Sequence, residues 1–312
     1  MRGTFIEKVG TLVRTGVLGL WMLGVVLPMF WVLATSLKST KEVTRSPFGI
    51  PDALAHPGAK TFAVIAENYT KAWVGSGFSA YFWNSLKVVS ISLALILLLG
   101  SMAAYCLSRF EFRGRNAIYN GFVAGLLIPM QLILIPLFFQ YADWSDVLTR
   151  SFAPIARMLQ LGNLTVSLHN SHEGIILIYV AASLPFTIFT LTSFFGTLPG
   201  GVREAAMIDG ASEARTFFSV MLPLARPGLI TVAIFNFLGL WNEYLFGIVF
   251  LADNKLKTLP LGLASISMQA QYKSDFGLMF AGLVITMVPT LVVYLLLQRH
   301  LTKGITAGAV KG

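Results

Sequence analysis

Long uninterrupted apolar runs alternate along this chain with short polar segments. A bilayer core about 30 Å thick takes about 20 apolar residues in a helix rising about 1.5 Å per residue. Six runs meet that length, at 16–36, 82–108, 117–142, 174–195, 228–251 and 277–298. The pattern predicts an all-α integral membrane protein with six transmembrane helices in a single domain covering 1–312. The first run exceeds the 7–15 apolar residues of a secretory signal core, so it reads as an uncleaved span. Pro28, Pro129, Pro136, Pro185 and Pro289 punctuate the runs. A proline inside a helix frees a carbonyl that neighbours must satisfy, so each marks a kink, a packing point or both. Gly121 and Gly125 form a Gly-x-x-x-Gly pair, which permits close helix contact.

Composition supports the same class. Of 312 residues, 55% are hydrophobic and only 12% charged, where a soluble domain carries roughly 25% charged residues. The net charge of +9 comes from singly scattered bases. No basic helix or basic–aromatic stripe accompanies it, so nucleic acid is not an expected partner, and membrane lipid is. Cys106 stands alone in an apolar run and has no companion for a disulfide or a metal. Six spans place both termini on one side. The four segments of that side carry twelve Lys or Arg in 69 residues, against ten in 101 residues across the opposite loops. The bias of basic residues toward the inner face therefore makes both termini cytoplasmic.

Besides the long outer segment 37–81, two further predicted outer segments are long. One, 143–173, holds Asp143, Asp146, Arg150, His169 and His172, and has room for short amphipathic helices. The other, 252–276, holds Gln269, Gln271 and Tyr272 and is polar enough to meet a ligand or a partner. The inner segment 196–227 has a clear local grammar. Val202–Asp209 is rich in helix formers, and Glu204 near its start favours the helix dipole. Gly210 permits a change of direction, and Ser212 is a ready N-cap for a second helix. Pro223 and Pro227 end that helix before the fifth span.

In the same segment, Glu204-Ala205-Ala206 is followed by three residues, Gly210, nine residues and then Val220-x-Leu222-Pro223. This resembles the signature of the membrane subunits of ATP-binding-cassette importers, with Val220 standing where the family has Ile. Asn84-Ser85-Leu86, Leu184-Pro185-Phe186, Trp241-Asn242-Glu243-Tyr244 and Thr258-Leu259-Pro260-Leu261-Gly262 extend the likeness from about residue 16 to the end. Together they resemble the carbohydrate-uptake branch, and within it the second permease of maltose-type systems. The segment 143–172 is longer than that family leads one to expect.

The resemblance implies a permease in a bacterial or archaeal cell membrane that imports a sugar or oligosaccharide. It implies a second homologous permease, two ATP-binding subunits below and an extracytoplasmic solute-binding protein above. Glu204, Ala205, Ala206, Asp209 and Gly210 would form a cytoplasmic coupling helix between the fourth and fifth spans, seated in an ATPase subunit. The tail Ala309–Gly312 would reach toward the ATPase interface, and the segment carrying Gln269, Gln271 and Tyr272 would face the binding protein.

Asn236, Trp241, Asn242 and Glu243 fall inside the fifth apolar run. Polar groups in a span face protein or a wet pathway, so these residues either line a sugar route or clamp helices together. No phosphate-binding Gly-x-x-x-x-Gly-Lys-Ser/Thr run exists, so ATP hydrolysis is expected on another chain. No catalytic constellation and no cofactor are expected. His169 and His172 lack the ligand count a metal needs. Two alternatives remain open: a transporter driven by an ion gradient, for which Glu243 is the candidate carboxylate, and an importer of another polar solute such as glycerol phosphate.

Overall fold

The computed structural model describes residues 5–158 and 167–309, and no strand occurs among them. Fifteen helices follow in order: α1 (Phe5–Ser36), α2 (Thr40–Arg45), α3 (Asp52–Ala55), α4 (Ala59–Thr70), α5 (Phe78–Arg109), α6 (Arg115–Gly125), α7 (Met130–Met158), α8 (His172–Thr197), α9 (Gly200–Ile208), α10 (Glu213–Thr216), α11 (Leu222–Leu224), α12 (Arg226–Trp241), α13 (Leu245–Phe250), α14 (Leu259–Lys273) and α15 (Phe276–Ala309). Four helical segments are long and apolar enough to cross a membrane: Gly10–Ser36, Phe78–Arg109, His172–Thr197 and Phe276–Gln298. Two bent pairs bring the number to as many as six.

The third apolar run is not one straight helix. It divides into α6 and α7, bent by 104°. Pro129 explains the break: it has no N–H to donate and pushes the residue before it out of helical geometry. The chain tightens there into three-residue turns, with Leu126, Leu127 and Ile128 each donating to the carbonyl three positions back. Beyond it, α7 runs on to Met158 as one helix, through residues expected to form an outer segment with room for short amphipathic helices. Asp146 and Arg150, one turn apart and 3.9 Å from each other, suit an exposed helix face rather than a coil. Residues 159–166 of the expected outer segment lie outside the described residues, as do 310–312 of the expected C-terminal contact.

The fifth run is also interrupted, with α12 ending at Trp241 and α13 starting at Leu245. The carboxylate of Glu243 accepts from the backbone N–H of Phe246 (2.7 Å) and of Gly247 (3.2 Å), so it caps the new helix start. The expected outer loop 252–276 is largely helical, as α14.

The chain divides into two compact units, one formed by the residues before Ala80 with Gly262–Val288, the other by Ala80–Leu261 with the residues from Pro289 onward. In the first, Lys38 is fully buried, and its ammonium group donates to the carbonyls of Ser46 (2.9 Å) and Pro47 (3.1 Å). Asn68 donates to the carbonyls of Ser36 and Lys38, and Gly277 lies so close to Asn68 that a Cβ there would meet its amide at 2.5 Å. Most of the apolar run of α1 before Trp31 is exposed, with Trp21 76% exposed.

In the second unit, α5, α8 and α12 form the packed centre. A Cβ at Gly100 of α5 would meet Thr187 of α8 at 2.4 Å, and a Cβ at Gly228 of α12 would meet the ring of Phe194 at 2.7 Å. Gly125 of α6 abuts Pro185 of α8, while its predicted companion Gly121 faces open space. At the start of α8 a Cβ on Gly174 would stand 1.8 Å from the backbone oxygen of Leu168. Gly174→Ala is therefore expected to destabilise the protein by about 1–3 kcal/mol, the usual cost of overpacking. Thermal unfolding of the detergent-solubilised chain checks this against Gly121→Ala, which should melt as the parent does; equal melting of the two variants would contradict the packing at Gly174.

Candidate functional site

The segment between α8 and α12 is a connected series of short helices. Pro199 opens α9 with extended geometry, and the helix runs from Gly200 to Ile208. It ends in a two-bond C-cap: Gly210 donates to the carbonyl of Met207 and Ala211 to that of Ala206, both at 3.0 Å. This pattern needs a left-handed residue at its centre, and Gly210 holds φ +83°. Ser212 then caps α10, its hydroxyl accepting from the N–H of Arg215. A π-helical turn, Phe217–Met221, follows and leads through α11 into α12 across a 75° bend.

Of the predicted coupling residues, Glu204, Ala205, Asp209 and Gly210 are exposed and Ala206 is half-buried. Met207 is exposed beside them and Ile208 is 85% exposed. This surface carries an acid, small residues and large apolar ones together. Asp209 caps the helix rather than extending it, one residue short of the expected end.

The inner side of the same segment is buried. Phe217, Met221 and Ala225 pack with Ala104 and Tyr105 of α5 and Leu191 and Phe195 of α8. Tyr105 contacts the rings of Phe217 (5.1 Å), Phe195 (5.7 Å) and Phe110 (5.8 Å). Its hydroxyl donates to Glu213 at 3.2 Å, and Glu213 also pairs with Arg203 of α9. The hydrogen bond to Glu213 raises the Arg203 pKa above its already high ordinary value, so this guanidinium stays charged. It lies over the Phe110 ring, 5.0 Å from the centroid. Arg109 donates to the carbonyls of Phe195 (2.5 Å) and Leu198 (2.6 Å), closing the end of α8. Sequence reading did not find these partners. The available signal was a pair of opposite charges, Arg203 and Glu213, on either side of the Gly210 turn.

The residues considered for a sugar route have defined surroundings. Asn236 donates to the Thr187 hydroxyl and to the Val232 carbonyl, both at 3.0 Å. Trp241 is 1% exposed, stacked on Phe237 and set edge-on to Phe82. Glu243, besides capping α13, accepts from the Tyr179 hydroxyl at 2.7 Å. Asn242 is exposed, its side-chain amide donating to the Leu238 carbonyl. The two histidines part company: His169 stacks on Phe250, and His172 bonds the Leu256 carbonyl at 3.1 Å.

In the other unit, Gln269, Gln271 and Tyr272 all lie on α14. Gln269 lines a cavity of about 240 Å³ with Lys71, Ser76 and Asp275, and Tyr272 is 89% exposed. The Lys71 pKa is raised, first by its hydrogen bond to Glu67, so this rim keeps its positive charge.

Residues 96–307 match the family described as binding-protein-dependent transport system inner membrane component. The chain is 43% identical over 292 residues to the diacetylchitobiose uptake system permease protein NgcG of Streptomyces coelicolor, covering 94% of this chain and 86% of that protein. It is 32% identical to the trehalose transport system permease protein SugB of Mycobacterium tuberculosis, with 92% of each chain covered. Among solved structures, a bacterial ABC transporter involved in the import of the acidic polysaccharide alginate superposes with a TM-score of 0.75 at 20% identity, over 96% of this chain and 99% of that one. With an apolar helical bundle, a Gly-turned helix pair at its surface and these relatives, the chain belongs to the binding-protein-dependent transport system inner membrane component family.

Proposed function

We propose that this chain is the permease subunit of an ATP-binding-cassette importer that carries an oligosaccharide into the cell. The observation that carries the reading is the α9–Gly210–α10 segment, which combines the importer signature with an exposed, rigidly capped helix on a buried base. The uptake of diacetylchitobiose and trehalose by systems containing its relatives supports the substrate class.

In this reading the six apolar runs cross the membrane, the broken third and fifth included, and work as one domain with both termini in the cytoplasm. ATP is hydrolysed on two partner subunits, and α9 is the coupling helix, with Glu204, Ala205, Ala206, Asp209 and Gly210 in an ATPase cleft. A second permease completes the pathway and supplies cover for the uncovered face of α1, together with lipid. The α14 segment carrying Gln269, Gln271 and Tyr272 meets the solute-binding protein; a bacterial alginate ABC transporter solved in complex with a periplasmic protein, at TM-score 0.60, is a precedent for a partner of that kind. Within this chain Asn242 is the exposed member of the four pathway candidates. Asn236, Trp241 and Glu243 hold the surrounding helices in place. The ion-gradient alternative needs a free carboxylate, and that of Glu243 is already engaged by Tyr179 and the start of α13.

Purification of the tagged chain from its native membrane is expected to bring down a second permease and an ATPase whose hydrolysis the solute-loaded binding protein stimulates. Recovery of the chain alone with transport intact would overturn the assignment. Gly210→Val forces a β-branched side chain into left-handed geometry, which costs about 1–2 kcal/mol and more for branched residues. Uptake by this variant is expected to fall at least tenfold while membrane insertion, followed by immunoblot, stays at the parent level; normal uptake would remove α9 from the mechanism.

A further inference from the structure

A helix that transmits force must be fixed to what it moves. The attachment of α9 is slight along most of its length. No residue of α9 is buried, and at its end it is joined to the rest only through a left-handed glycine. A proline precedes it at the other end. A helix held by those two joints alone can swivel when pushed.

One side chain removes that freedom. Arg203 turns inward from α9, across the Gly210 turn, to pair with Glu213 of α10. Glu213 in turn receives the hydroxyl of Tyr105, a buried residue of α5. The guanidinium also rests on Phe110, immediately beyond the end of α5. Arg109, the last residue of α5, grips two carbonyls at the end of α8. The consecutive helices α8, α9 and α10 thus meet the sequence-distant α5 at one charged junction set on an aromatic floor.

We propose that Arg203, Glu213 and Tyr105 form a latch that makes α9 a rigid extension of α5, delivering any displacement of α9 straight to a long apolar helix. This rests on the reading of α9 as the coupling helix. Without the latch, a push on α9 reaches α5 only by way of other elements, through Leu198 and Pro199 to α8 or through α10 and the π-helical turn. Each of these routes passes a joint at a helix end that can absorb movement. A partly buried pair with a shared hydroxyl donor is also directional, so it fixes the orientation of α9 as well as its distance. Arg203, Glu213 and Tyr105 are positioning residues in this scheme; none needs to touch ATP or sugar.

The test uses the whole transporter in proteoliposomes, with its second permease, ATPase subunits and binding protein, and reads uptake and ATP hydrolysis in the same vesicles. Arg203→Glu and Glu213→Arg are each expected to lower the sugar carried per ATP hydrolysed by about five- to tenfold, the scale of coupling within one hydrogen-bonded network. The combined charge exchange is expected to recover at least half of the loss. Tyr105→Phe keeps the ring packing and deletes only the hydroxyl, and should lower sugar carried per ATP by about two- to threefold with the melting temperature unchanged. A merely structural junction would instead lower melting and total activity together, leaving sugar per ATP at the parent value; that outcome overturns the latch, and so does a charge exchange that recovers nothing. Gly210→Val measured in the same vesicles separates the two ideas. If it blocks uptake while both single reversals transport normally, α9 couples without a latch; if it too transports normally, the coupling reading itself falls.

Discussion

Every backbone N–H and C=O that leaves water must find a partner, and in an apolar medium an unpaired group costs several kcal/mol. This demand governs where the chain bends and what its few polar side chains do. Helices satisfy their own interiors, so the unmet groups collect at helix ends. Several of the polar side chains sit at those ends. Lys38 closes the carbonyls of Ser46 and Pro47, and Asn68 those of Ser36 and Lys38. Asn84 does the same for Lys255 and Lys257, Arg109 for Phe195 and Leu198, and Arg115 for Leu107. Glu243 serves the donor side at the start of α13. Within the fifth apolar run, Glu243 marks a helix break, whereas Asn236 lies inside α12 and bonds across to Thr187 of α8.

The same demand shapes the candidate coupling segment. A change of direction between α8 and α12 has to be built from caps, and three are formed by Gly210 at the end of α9, Ser212 at the start of α10, and Arg109 at the end of α8. The exposed surface of the segment offers a partner side chains, small and acidic on α9 with two apolar ones beside them. Beneath lies a tight aromatic and aliphatic base contributed by three helices. A rigid exposed ridge on a buried base suits a mechanical contact.

Packing of the second unit rests on a few absent side chains. Gly100 lets α5 reach Thr187, Gly228 lets α12 reach Phe194, and Gly125 sits against Pro185. Without a hydrophobic drive between helices in lipid, close approach and interhelical hydrogen bonds hold such bundles together. Thr187 takes part in both: it touches Gly100 and accepts the amide of Asn236.

Sequence alone determined the helical class, the positions of the apolar runs and the α9–Gly210–α10 grammar. Those features depend on composition, run length and local conformational preference, which act within a few residues. It marked Pro129 and Glu243 as notable but read both runs as continuous, because hydropathy averages over a break that costs no apolar residue. It gave 143–158 to an outer segment with room for short amphipathic helices, where the structure continues α7 as one long helix to Met158, because hydropathy marks the end of an apolar run and not the end of a helix. The tertiary structure alone decided that Trp241 is packed while Asn242 is open, and that Arg203 finds Tyr105 through Glu213. These are contacts between residues far apart in the chain, and only the crossing of α5 with α8 and α12 brings them within hydrogen-bonding distance.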